Sequence, residues 1–264
     1  MVKQLIRWSL IPVFFLVVLI PFVCQILVFL FGEDYSGSPA HFSDYPESGF
    51  YEINPETLFD TLNREEANTF IPASSEIWYR DEPYYDSISW TQSDYLRIAI
   101  ILSLRTWNEP LDLENWKVIF MYLIADCENN PNGFYSFSIV YYKPLGIVNF
   151  ERQYTSRLID IIPWQGLIRW GNGAVFSTPI SLGWDGVDLS QFKIAADGAL
   201  RIAENNGGSD VRRNVGNDCS IALSMSQLNP LPHRENWLVD YYRPGFYMQV
   251  DPYNGNHKIL GTSQ

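Results

Sequence analysis

The residues able to do chemistry are few. Three histidines, His41, His233 and His257, are scattered and none stands at metal-ligand spacing from another. No His-Glu-x-x-His, nucleophile elbow, phosphate-binding loop, Cys-x-x-Cys or dinucleotide fingerprint occurs. Oxygen ligands come nearest to calcium spacing in Asp126-Cys-Glu128-Asn-Asn130 and in Asp185-Gly-Val-Asp188. Neither completes a loop, and Pro131 stands where the first would need glycine. The sequence therefore offers no catalytic residue, no metal site and no cofactor. Carboxylates brought together from distant positions would be needed for hydrolysis of a polymer.

Binding chemistry is better represented. Tyr241 and Tyr242 are neighbours in a strand-like run, so they point to opposite faces and one must leave the core. Tyr247 and Tyr253 follow closely. Tyrosine is frequent at binding hot spots, which makes Tyr241, Tyr242, Tyr247 and Tyr253 the candidate ligand-binding residues. The alternative is that they simply cover a sheet. Cys127 and Cys219 are candidates for a disulfide if they lie outside the cytoplasm, the alternative being two separate buried thiols.

Trp8 to Phe31 runs for 24 residues without a charge. A helix of that length crosses a hydrocarbon core of ~30 Å. Lys3 and Arg7 precede it; Glu33 and Asp34 follow. The positive-inside bias puts the N-terminus in the cytoplasm and the bulk of the chain outside, behind a single-pass signal anchor. A cleaved signal peptide is the rival, with a shorter apolar region than this one. All 30 acids and all but two of the 18 basic residues lie beyond residue 32, leaving an excess of 14 negative charges there. That balance repels nucleic acid.

The elements that must position these residues follow from pattern. Residues 33–53 read as a stalk. Asn54-Pro55-Glu56 has the form of a helix start, with Leu58, Phe59 and Leu62 on its buried side. Gln92 to Trp107 is apolar nearly all round, so it is a buried helix, with Ser93 as its cap. Strands are expected over Lys117–Ala125, Phe134–Tyr142, Arg157–Ile162 and Leu167–Trp170. Gly171 to Gly186 reads as a loop between two halves, 54–180 and 181–264. The second half opens with a helix over Leu189–Asn206, capped by Ser190 and stopped by Gly207-Gly208. An antiparallel meander follows: Ser220–Gln227, Trp237–Arg243, Phe246–Val250 and His257–Leu260. The expected fold class is α+β, a transmembrane helix followed by helix-plus-meander units.

Residues 190–260 resemble the PepSY family of small extracytoplasmic domains. The resemblance rests on Ala195-Ala196 and Ala199-Leu200 in a helix, Gly207-Gly208, Trp237-x-Val239-x-Tyr241, and Val250-Asp251-x-x-x-Gly255. Asn254 departs from the threonine common in that last motif. The resemblance implies a binding or regulatory module, with two PepSY-like halves as one reading of the whole chain. The function expected is a non-catalytic, membrane-anchored module for a protein or peptide partner in the envelope. The alternatives are a hydrolase of envelope polymers and an accessory subunit of a membrane complex.

Overall fold

Alternating apolar and polar side chains form ten strands among the described residues. They are β1 (Glu47–Glu52), β2 (Ile71–Ala73), β3 (Lys117–Asp126), β4 (Ser136–Val148), β5 (Glu151–Ile162), β6 (Leu167–Pro179), β7 (Ser220–Ser226), β8 (Trp237–Tyr242), β9 (Phe246–Val250) and β10 (His257–Gly261). The helices are α1 (Leu58–Asn63), α2 (Gln92–Trp107), α3 (Ala196–Ala203) and α4 (Ser209–Val215). This computed structural model describes residues 42–63, 69–73, 85, 90–111, 115–127, 133–148, 151–179, 187–215, 219–226, 235–243 and 245–261. The anchor expected at Trp8–Phe31 lies outside them. Among the described residues no helix is long and apolar enough to cross a membrane.

All ten strands join one antiparallel sheet in the order β10-β9-β8-β7-β3-β4-β5-β6-β1-β2. This overturns the expected α+β plan of helix-plus-meander units, and with it the two PepSY-like halves. The decisive feature is the ladder between β3 and β7, which runs from Phe120 opposite Ser226 to Asp126 opposite Ser220. β3 pairs β4 along its other edge. Two separate meanders would each leave an edge of unpaired backbone groups, and zipping β3 to β7 removes both edges at once. Residues Ser38–Gln264 accordingly form one compact unit.

Three further expectations fail for local reasons. Residues read as stalk include β1, which pairs β6 over Glu47–Glu52 and lays Phe50 into the core. The stretch from Gly171 read as loop continues β6 as far as Pro179, because β5 supplies a partner along its whole length. The helix expected over Leu189–Asn206 is broken into a 3-10 turn at Leu189–Gln191, α3, a π-helical turn at Glu204–Gly208, and α4. Gly207-Gly208 is thus a kink rather than a stop. Gly207 takes φ 116°, and a Cβ on Gly208 would meet the Tyr241 ring at 2.5 Å.

The helices cover one face of the sheet. Ile98, Ala99 and Leu102 of α2 and Ala199, Leu200 and Ala203 of α3 pack with Met121, Leu123, Ile139, Leu223, Trp237 and Val239 in the main core. The cap of α2 is Thr91, not Ser93: Thr91 and Asp94 form a reciprocal capping box. α2 and α3 also cap each other. Asp197 accepts from the Gln92 backbone N–H at 3.4 Å, and the Gln92 side chain accepts from the Ala196 N–H at 2.6 Å. A smaller cluster on the opposite face gathers Tyr45, Ile119, Val140, Tyr142, Tyr154, Leu158 and Ala174.

Candidate functional site

Strand parity divides the four candidate tyrosines. On β8, Trp237, Val239 and Tyr241 point into the helix-covered core, so Leu238, Asp240 and Tyr242 point away from it. Tyr241 is buried, and its hydroxyl donates to Glu204 Oε1 at 2.7 Å. Burial, reinforced by that carboxylate, pushes its phenol far up. Glu204 also binds Arg212, which reaches the Cys127 carbonyl at 3.2 Å. Tyr253 belongs to the helix side as well. Its ring meets Phe192 edge-on at 5.5 Å and its hydroxyl donates to Glu235. Tyr242 and Tyr247 are the two that emerge on the open face, 64% and 39% exposed. Of the four, Tyr242 and Tyr247 thus stand on the open face, while Tyr241 is buried and Tyr253 half-buried on the helix side.

Between those two lies a residue the sequence reading passed over. Asp240 stands directly opposite Tyr247 on one side and Ala222 on the other. Its Oδ1 is buried and has no hydrogen-bond partner among the described residues. Burial pushes its carboxyl above the ordinary range. Its charge also acts on the Tyr122 phenol, which burial raises first. Tyr122 reaches this neighbourhood through the β3–β7 ladder, standing opposite Ser224. On the open face of β7, Ser220, Ala222 and Ser224 are small and half-buried, which makes this strand a trough between larger neighbours. Tyr122 and Ile124 of β3 wall one side; Leu238, Asp240 and Tyr242 of β8 wall the other.

The sheet edges are less inviting. β2 is three residues long and contains Pro72. β10 exposes Ile259 and Leu260 but carries Lys258 and a register shift before Gly261. Proline, shortness, lysine and bulges are the devices that keep edges from pairing with other chains.

Two other polar centres find their main partners within the chain, although Arg157 Nη1 and Arg169 Nε are buried without a hydrogen-bond partner among the described residues. On the helix side, Arg157 is sandwiched between Trp107 and Trp116, its guanidinium carbon 4.5 and 4.3 Å from the ring centres. It donates to Asn172 at 3.0 Å and to Glu109 at 2.8 Å. The hydrogen bond from Lys143, with further help from Arg157, holds the Glu109 carboxyl below its ordinary value. This cluster fastens the C-terminal end of α2 to β5. On the open face, Asp160 accepts from Ser138 at 2.5 Å and pairs with Arg169 at 2.9 Å. Burial nevertheless dominates and raises its carboxyl.

These placements bear on catalysis. Asp160 and Asp240 share a face but lie on β5 and β8, with β4, β3 and β7 between. At about 4.8 Å per strand they are roughly 19 Å apart. Glycoside hydrolysis needs paired carboxyls within about 5–9.5 Å. Glu109, held ionised, is no general acid. Among the described residues no cluster of three or more metal-ligating side chains exists. Asp188, one of the calcium candidates, spends its carboxylate on Ser190 and Gln191; Asp185, Glu128 and Asn130 lie outside the described residues. His257 is exposed on β10, and His41 and His233 lie outside.

Cys127 and Cys219 are joined by a disulfide, with Cα atoms 5.5 Å apart. It closes the end of the β3–β7 ladder. Compared with known protein families, curated proteins and solved structures, the chain matches none.

Proposed function

We propose that this chain is a non-catalytic binding module that holds an extended segment of a protein or peptide partner on the open face of β7, β8 and β9. The observation that carries the reading is the contrast between the faces of these strands. One is sealed by α3 and its neighbours; the other presents Tyr242 and Tyr247 uncovered beside a trough of small residues. Exposed tyrosines supply large contact area at little entropic cost. The reading places the module outside the cytoplasm, held by Trp8–Phe31 as a single-pass anchor, with the partner in the envelope. A disulfide and a strongly acidic body support that compartment.

The test is in-cell crosslinking of the full chain, with captured partners identified by mass spectrometry. Tyr242→Ala and Tyr247→Ala should each reduce capture of one dominant partner several-fold without lowering the melting temperature. Tyr241→Ala should instead unfold the domain. Undiminished capture by both exposed-tyrosine variants would refute the docking face.

A further inference from the structure

We infer that the open face is built to receive a cationic side chain, a lysine or arginine of the partner segment, at Asp240. This rests on the reading of that face as the docking surface and names the chemistry of what docks there.

The argument starts from an imbalance. A carboxylate with a buried, unbonded oxygen is a net cost to the free protein, because the hydration it loses is not replaced. Asp240 is in that position. Asp160, on the same face, shows the contrast: Arg169 and Ser138 supply its partners from within the chain. Among the described residues no comparable partner reaches Asp240 Oδ1. Its cross-strand neighbours are Ala222 and Tyr247, and its same-face neighbours along β8 are Leu238 and Tyr242. None of these is a cation.

The surroundings do suit a cation from outside. Tyr242 and Tyr247 flank the carboxylate, and Tyr122 feels its charge across the narrow β7 trough. Aromatic faces around an anionic group attract ammonium and guanidinium ions through the ring quadrupole and the charge together. The small side chains of β7 leave room for a long side chain to lie along the trough. Gly261, beside Tyr247 on β10, places no side chain over the outer flank. The net acidity of the body steers positively charged segments toward it.

The experiment uses the full chain in detergent and fluorescein-labelled extended peptides of one design, Ser-Gly-Ser-Val-X-Val-Ser-Gly-Ser. X is lysine, arginine, glutamate or norleucine, and binding is read by anisotropy. The lysine and arginine peptides should bind about tenfold or more tighter than the norleucine peptide, as a charge-assisted hydrogen bond requires. Asp240→Asn should reduce them to the norleucine level while melting no lower than wild type. Asp210→Asn, which removes an exposed charge from α4, should leave the preference intact. Equal binding of lysine and norleucine peptides, or a preference that survives Asp240→Asn, overturns the inference. If norleucine binding persists and falls in Tyr242→Ala, the docking face stands without the cation. Binding of no peptide overturns both.

Discussion

Gly208→Ala tests whether the kink between α3 and α4 is a packing necessity. The added Cβ would sit 2.5 Å from Tyr241 Cζ and 2.9 Å from the Ala203 carbonyl oxygen. Tyr241 is fully buried, so its ring has nowhere to retreat. Moving it sacrifices the hydroxyl's bond to Glu204 Oε1, a charge-assisted bond of about 1.5–3 kcal/mol. Overpacking adds about 1–3 kcal/mol. The expected loss is about 2.5–6 kcal/mol, a large part of the 5–15 kcal/mol that typically holds a domain together. The signature lies in a cycle with Tyr241→Leu, which deletes Cζ and Oη. In that background the alanine meets only the carbonyl and gains about 0.5–1 kcal/mol of backbone entropy. The two changes should therefore fall short of additivity by at least about 2 kcal/mol. Guanidinium unfolding with the disulfide intact, followed by near-UV circular dichroism, measures each variant. A Gly208→Ala cost under about 1 kcal/mol, or additive effects, would refute the reasoning.

Three further expectations concern the rest of the fold. The disulfide spans 92 residues, so replacing both cysteines with serine should cost about 4–5 kcal/mol by loop entropy, read as a lowered guanidinium midpoint. Arg157→Lys keeps the charge but loses the two-ring stack and the fork onto Asn172 and Glu109. It should destabilise by about 2–4 kcal/mol, and a neutral result would show the sandwich to be incidental. Asp160 has a folded carboxyl raised above its ordinary 3.8. Its contribution is fully present below that ordinary value and is lost as pH rises through the raised one, because the folded state holds the proton longer. Wild type should gain stability relative to Asp160→Asn as pH falls from about 7 to about 4, by thermal melting; the opposite slope would mean that the Arg169 pair outweighs burial.

How much of this was legible beforehand depends on the range of the interaction. The strands Trp237–Tyr242 and Phe246–Val250 and the extent of α2 follow from local periodicity, which is set by neighbours in the chain. That one of Tyr241 and Tyr242 must leave the core is likewise a consequence of the pleat. Asp240 was readable by the same parity, two residues before Tyr242, but a lone aspartate in a strand carries no signal until its partners are known to be missing. Lengths of β4, β5 and β6 beyond their apolar stretches were not readable, since polar residues such as Arg152, Gln153 and Ser177 stay in the ladder only because a partner strand is there.

What the sequence determined alone was therefore local: where apolar alternation makes strands, which chemistries lack their residues, and how charge is distributed along the chain. Tertiary structure decided everything that depends on who pairs with whom. The joining of β3 to β7 turned two expected meanders into one sheet and set Tyr122 across the trough from Asp240. It also brought Cys127 and Cys219 together. Backbone hydrogen bonding is nearly indifferent to side-chain identity, so strand order is chosen by the sum of many burial and edge-pairing terms over the whole chain. No short stretch contains that sum, and only the folded sheet shows which face is sealed and which is left open.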